Sequence, residues 1–350
     1  MKKILFIFGC LLNLSNLYLN GEEQIQEIDK HAKIYVAGHK GLVGAAIVDA
    51  LKAKGYDNII GRTHSELELK DQAAVNSFFK QERPEYVFLA AAKVGGIYAN
   101  NTYPGEFIYD NLMVTANVIH AAYKYGVKKL LYLGSSCIYP RNCPQPIKEE
   151  YLLTSVLEKT NEPYAIAKIA GLKMCQTYNR QYNTRFISCM PTNLYGNNDN
   201  FDFNTSHVIP GLIAKFCQAQ EEGKEEVICW GTGKACREFL HVRDLAQATV
   251  FLMNNYEEYG ENSWINVGTG EDITINELIQ QIKEIVGFKG RVIYDSTKPD
   301  GTPKKLLDVN RIKALGWKAE ISLREGLEET IRFYKEKKLS KDLLKSNARS

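Results

Sequence analysis

At 350 residues the chain is long enough to bury a large core and to divide into two lobes. Hydrophobic residues at 45% and charged residues at 24% are ordinary for a globular protein and exclude a disordered chain. A net charge of +3 is too small to argue for a nucleic-acid partner, although a few well-placed cations suffice for a small anionic ligand.

The chain opens on Met1-Lys2-Lys3 and an apolar run from Ile4 to Leu12, which resemble the basic and apolar parts of a signal peptide. The run is too short to span a bilayer, and Asn20-Gly21 makes a poor cleavage site. Residues 1–30 therefore read as an extension: a targeting segment, a membrane-associating segment, or translation from an upstream start. From residue 31 the pattern alternates. Short apolar strands are expected at 33–37, 57–60, 85–90, 129–134 and 185–190, and helices with 3.6-residue apolar stripes at 41–54, 71–80, 105–125 and 162–181. Such βα alternation implies a parallel sheet covered on both faces.

After Pro191 the alternation loosens. A polar loop at 197–205 precedes a helix at 208–222 and a strand at 226–230. Helix 244–255 and strand 264–267 return to the first lobe, and helix 274–286 leads into the 298–307 segment. The fold class is α/β: a Rossmann-type doubly wound parallel sheet with a smaller, discontinuous α/β substrate domain. The first domain takes 31–196 with 238–268 returning to it, and the second takes 197–237 and 269–340. Residues 341–350 are a polar tail, and the Lys-rich stretch from Lys335 reads as a solvated helix end or disorder. The eight cysteines include no CxxC pair, most sit in apolar contexts, and no metal-ligand spacing appears.

Three motifs carry chemistry. Gly38, Gly41 and Gly44 lie between the first strand and the first helix. There, glycines let the backbone approach a pyrophosphate and the helix N-terminus offers N–H groups. The second strand ends at Arg62-Thr63-His64 where an NAD site carries an acid; Arg62, with His64, favours the 2′-phosphate of NADPH. Finally Ser135, Ser136 and Cys137 follow the fourth strand, and Tyr164 and Lys168 share one face of the next helix, opened by Asn161 and Pro163. Lys168 is expected to lower the Tyr164 pKa, and Ser135 to share a hydrogen bond, as in a proton donor to a carbonyl under reduction. The plainer alternatives are a structural turn at the glycines, a solvated Arg62, and a core tyrosine beside a surface lysine.

Taken together with 191–196, Ser206-His-Val-Ile-Pro210, Arg237-Glu-Phe-Leu-His-Val242 and Lys298-Pro-Asp-Gly-Thr-Pro303, these motifs resemble the GDP-L-fucose synthase family of extended short-chain dehydrogenase/reductases, from about Lys33 to about Tyr334. The resemblance implies 3,5-epimerisation of GDP-4-keto-6-deoxy-D-mannose followed by NADPH-dependent reduction at C4. It implies catalytic roles for Ser135, Cys137, Tyr164, Lys168 and His207, with Cys137 and His207 moving protons. Cofactor contacts are implied at Gly38, His39, Lys40, Gly41, Leu42, Val43, Gly44, Arg62, His64 and Ala91. Others fall at Leu133, Gly134, Ser135, Ser136, Tyr164, Lys168, Pro191, Thr192, Asn193, Leu194 and His207. Substrate contacts are implied at Lys215, Trp230, Arg237 and Asp300. No metal is implied, a homodimer is expected through helices 105–125 and 162–181, and the site of action is expected to be cytoplasmic. A nucleotide-sugar epimerase or dehydratase of the same superfamily, or a non-catalytic NADP-binding sensor, are the alternatives. A dehydratase needs an Asp-Glu pair where Ser136 and Cys137 stand.

Overall fold

The computed structural model describes residues 27–347 apart from 204 and 299, and side chains as far as 340. The extension expected at 1–30 falls mostly outside the described residues. In chain order the elements are β1 (Ile34–Ala37), α1 (Leu42–Ala53), β2 (Ile59–Ile60), α2 (Gln72–Glu82), β3 (Tyr86–Leu89), α3 (Ile97–Thr102), α4 (Pro104–Lys124) and β4 (Lys129–Leu133). There follow α5 (Glu162–Tyr182), β5 (Phe186–Pro191), β6 (Asn193–Tyr195), α6 (Val208–Glu221), β7 (Glu226–Trp230), β8 (Cys236–His241), α7 (Val242–Asn255) and β9 (Trp264–Val267). The last are β10 (Asp272–Thr274), α8 (Ile275–Val286), β11 (Arg291–Asp295), β12 (Lys304–Lys305), α9 (Asn310–Ala314) and α10 (Leu323–Asn347).

Six strands form one parallel sheet in the order β2-β1-β3-β4-β5-β9. Its central strands are buried on both faces, as the apolar runs at 34–37, 129–133 and 186–191 require. One face packs on Ile47 and Leu51 of α1 and on Leu245, Val250 and Leu252 of α7. The other packs on Phe78 and Phe79 of α2 and Val118 and Ile119 of α4. Ile47 and Leu51 are fully buried, and each contributes about 1.5–3 kcal/mol on removal from water.

The second lobe is a core of its own, in which α6, α8 and α10 enclose Phe216, Leu278, Ile282 and Leu327. The start of α8 was legible: Thr274 Oγ1 accepts the Glu277 N–H at 3.1 Å and Glu277 accepts the Thr274 N–H at 2.8 Å, a reciprocal cap. The strand β8 was not, because Arg237 and Glu238 interrupt its apolar pattern. It joins β10, β12 and β6 in a small mixed sheet, while β7 pairs with β11. Within 238–268, β8 therefore belongs to the small sheet, whereas α7 and β9 complete the first one. The 323–347 stretch is helical, which accounts for the Lys-rich segment as far as Asn347. Among the described residues no helix is long and apolar enough to cross a membrane, and all seven cysteines are free.

Candidate active site

The C-terminal ends of β1, β4 and β5 lie along one edge of the parallel sheet, the usual place for a ligand in a doubly wound sheet. Gly38 leaves β1 with φ +85°, and the Gly41 N–H donates to its carbonyl at 2.9 Å. Gly41 starts α1 with no side-chain cap, so Leu42, Val43 and Gly44 present first-turn N–H groups to an anion. A Cβ at Gly44 would lie 2.1 Å from the Gly38 oxygen, and one at Gly38 would lie 2.9 Å from Ala91 Cα. The turn is thus closed to side chains and open to a diphosphate. Beside it the His39 ring abuts Gly61, burial lowers its pKa, and its Nδ1 is buried without a partner, as a site made for a further polar group would leave it. Lys40 stands exposed in the same turn.

The two cations expected to read the 2′-phosphate are both paired. Arg62 donates to Glu82 at 2.6 Å and to the Gly61 carbonyl at 2.9 Å, and lies over the Phe78 ring. His64 meets Glu68 at 2.8 Å on open surface. Glu82, at the far end of α2, is a participant that the local sequence did not signal. The Arg62–Glu82 pair is about a third exposed and contributes of the order of 1 kcal/mol at most, which charge-assisted bonds to a phosphate can replace.

At the end of β4, Leu133 and Gly134 lead into a single turn in which Ser135 Oγ accepts the Cys137 N–H at 3.1 Å and Ser136 is buried. Asn161 precedes α5 as its cap residue but does not cap with its side chain, and Pro163 sits in the first turn. Tyr164 and Lys168 share a helix face, as the spacing requires, with the ammonium 5.7 Å from the phenol ring centre. Lys168 is 3% exposed and donates to the Leu133 carbonyl at 2.7 Å. Burial pushes its pKa down to about 8. The expected lowering of Tyr164 is not what the structure shows. Burial, with the Cys137 charge, raises the phenol well above its ordinary value against the pull of a Ser135 hydrogen bond. Lys168 turns its charge onto a backbone carbonyl, and Tyr164 is held protonated, the form that donates.

Cys137 belongs to the same cluster. Burial raises its thiol, but Lys305, the Ser135 hydrogen bond and Arg237 outweigh this and leave it below the ordinary value. The Lys305 Nζ lies 3.4 Å from the sulfur. His207 precedes α6 without capping it and keeps part of its surface open to solvent. Protein packed around the ring lowers its pKa by desolvation, and the Lys305 charge adds to this. The loop before it is braced by the Gly96 N–H donating to the Thr205 carbonyl at 3.1 Å. Lys305 is thus the common neighbour of Cys137 and His207, and nothing local distinguished it from Lys304.

The small sheet adjoins this edge through β8. Thr192 and Asn193, which follow Pro191 and lead to Leu194, both donate to the Glu238 carbonyl, tying the end of β5 to β8. Their side chains are therefore structural. Arg237 donates to the carbonyls of Cys236 at 2.8 Å and Asp300 at 3.2 Å. Its charge also reaches Cys137. The Asp300 carboxylate accepts the Thr232 N–H and hydroxyl, both at 2.7 Å, and keeps further lone pairs for a ligand. Trp230 is 56% exposed with Lys298 over its ring, and Lys215 donates to the Ile228 carbonyl at 2.8 Å. Ser135, Cys137, Tyr164 and Lys168 are thus brought together, and Arg237 and Asp300 join them from the second lobe. Lys215 meets β7 and Trp230 meets Lys298, rather than the Ser135–Lys168 cluster. No group of metal-ligating side chains occurs among the described residues.

A glycine turn under a helix N-terminus, joined to a Ser–Tyr–Lys set, defines a nucleotide-dependent carbonyl chemistry, and the profile of the NAD dependent epimerase/dehydratase family matches residues 34–268. The chain belongs to that family. It is 57% identical over 314 residues to GDP-L-fucose synthase 1 of Arabidopsis thaliana, covering 90% of this chain and 96% of that protein. It is 54% identical over 310 residues to GDP-L-fucose synthase of Escherichia coli K12, covering 87% and 97%. Among solved structures, MlghC, a GDP-mannoheptose C4 reductase from Campylobacter jejuni with NADP bound, superposes with a TM-score of 0.82 at 41% identity over 88% of this chain and 99% of that one.

Proposed function

We propose that this enzyme converts GDP-4-keto-6-deoxy-D-mannose to GDP-L-fucose, first inverting C3 and C5 and then reducing the C4 ketone. The observation that carries the reading is the thiol of Cys137 set beside the Ser135–Tyr164 proton donor, so that one pocket holds both an epimerising and a reducing group. NADPH, when bound at the Gly38–Gly44 turn, supplies the hydride. The C4 carbonyl acidifies the C–H bonds on either side of it. Cys137 and His207 remove and return those protons on opposite faces. Ser135 holds the C4 oxygen while Tyr164 gives it a proton.

Arg237 clamps the diphosphate, Trp230 offers its face to the base, and Lys215 and Asp300 complete the nucleotide-sugar site. Two copies pair through α4 and α5, whose surfaces leave Tyr109, Ile166 and Tyr182 exposed. The site of action is the cytoplasm, where nucleotide sugars and NADPH are supplied.

The test is incubation of the keto sugar with NADPH in D2O, followed by mass spectrometry and proton NMR. The expected product is GDP-L-fucose with deuterium at C3 and C5. Tyr164→Phe should slow reduction by about two orders of magnitude and largely spare exchange. Cys137→Ser and His207→Ala should slow exchange while NADPH still binds. Wild-type exchange in both of the latter would place the epimerising groups elsewhere.

A further inference from the structure

We propose that Lys305 is a positioning residue for the epimerisation: its ammonium, brought to the cleft by β12, holds Cys137 in the thiolate form that accepts a proton from the sugar. The proposal rests on the function given above and assigns a role to a residue outside the motifs that carry it.

The contact is 3.4 Å from Nζ to Sγ, between residues 168 apart in sequence. It follows from strand register. Lys305 lies opposite Arg237 where β12 pairs with β8. Lys304, one residue earlier, points to the other face and pairs with Asp272 at 3.2 Å. The segment is held on both sides. The Leu307 N–H donates to the buried carboxylate of Glu238 at 2.9 Å, the Ile147 N–H to the Leu306 carbonyl at 2.7 Å, and the Leu306 N–H to Gln145 at 2.9 Å. The ammonium is therefore delivered by a fixed backbone rather than by a mobile tail.

The charge around the sulfur favours the anion. Facing Cys137 are Lys305 from β12, Arg237 from β8, Lys168 and the neutral Tyr164 from α5, and Ser135 from its own turn. A cavity of about 30 Å3 beside it is also lined by Arg141 and Glu158, and that carboxylate is paired to Arg141 at 3.2 Å. The thiolate, not the thiol, is the reactive form. In the step assigned to it the C–H bond breaks, the proton goes to sulfur, and the bonding pair passes to the C4 oxygen as an enolate. The enolate then takes a proton from His207 on the opposite face, re-forming the carbonyl.

The experiment is the pH profile of Cys137 alkylation by iodoacetamide, read by peptide mass spectrometry on the NADP+-bound full chain. The variants are Lys305→Met and Lys305→Arg. An opposite charge within contact moves a midpoint by about one to three units, so the Met variant should titrate that much higher and the Arg variant close to wild type. Exchange at C3 and C5 at neutral pH should fall about tenfold or more in the Met variant and recover at higher pH, with unchanged melting temperature. An unmoved alkylation midpoint in the Met variant, or slower exchange with no shift of its pH profile, overturns the proposal. If wild type shows no exchange but the midpoint still shifts, the functional reading fails and the charge pairing stands.

Discussion

Gly44→Ala is the smallest change that should empty the cofactor cleft. The added methyl would lie 2.1 Å from the Gly38 carbonyl oxygen and 2.9 Å from His39 Cα, both backbone atoms that no side-chain rotation can move aside. Ordinary contact begins near 3.4 Å, so the turn or the start of α1 has to shift by about 1 Å. Overpacking of this kind costs about 1–3 kcal/mol of stability. It also displaces the N–H groups that would meet a diphosphate. NADPH affinity, measured by calorimetry or nicotinamide fluorescence, should fall at least tenfold, the effect of about 1.4 kcal/mol. Gly105→Ala is the matched control. It sits in the first turn of α4, has nothing within 4 Å of its added carbon, and should stabilise by about 0.4–1 kcal/mol through the unfolded state. Wild-type affinity in Gly44→Ala, or equal effects of the two substitutions on melting and binding, would refute the close-approach argument.

Two further expectations concern charge. Arg62→Ala should weaken NADPH by about 1.5–3 kcal/mol and NADH far less, since only the former carries a 2′-phosphate. Glu82→Gln, which frees Arg62 from its carboxylate, should tighten NADPH, and equal losses for both cofactors on Arg62→Ala would assign Arg62 another role. Lys168 has a folded pKa of about 8 against an ordinary 10.5 because burial penalises its ammonium. Between those values the folded state holds fewer protons than the unfolded one, so stability rises with pH across the window, and the burial cost is fully present below it. Relative to Lys168→Met, wild-type stability in urea should therefore improve by up to about 3 kcal/mol from pH 8 to 10.5, and a flat difference would show that Lys168 is not desolvated.

The legible part of the site was its local part. Gly38 and Gly44 announce a turn because a close backbone approach excludes Cβ, and Tyr164 and Lys168 announce a shared face because a helix brings fourth neighbours together. The resemblance, through the motifs around them, nominated Cys137 and His207 as proton carriers, a role for which a thiol and an imidazole are chemically apt. What residue type misled on was Tyr164. A lysine one turn away reads as a cation that lowers it, but burial dominates and Lys168 spends its donor on the Leu133 carbonyl. Arg62 was visible as a cation, whereas its partner Glu82, twenty residues on, was not.

By itself, then, the chain determined the βα alternation, the parallel sheet it implies, and the residues whose chemistry acts within a turn or a strand end. Those features depend on apolar periodicity and on contacts between near neighbours in sequence. Only the tertiary structure decided that β8 lies beside β12, that Glu238 is buried to tie their segments together, and that Lys305 rather than Lys304 meets the Cys137 sulfur. The reason is register: one residue of slip along β12 would exchange the two lysines between solvent and cleft, and that register is set by long-range hydrogen bonds that leave no local trace in the sequence.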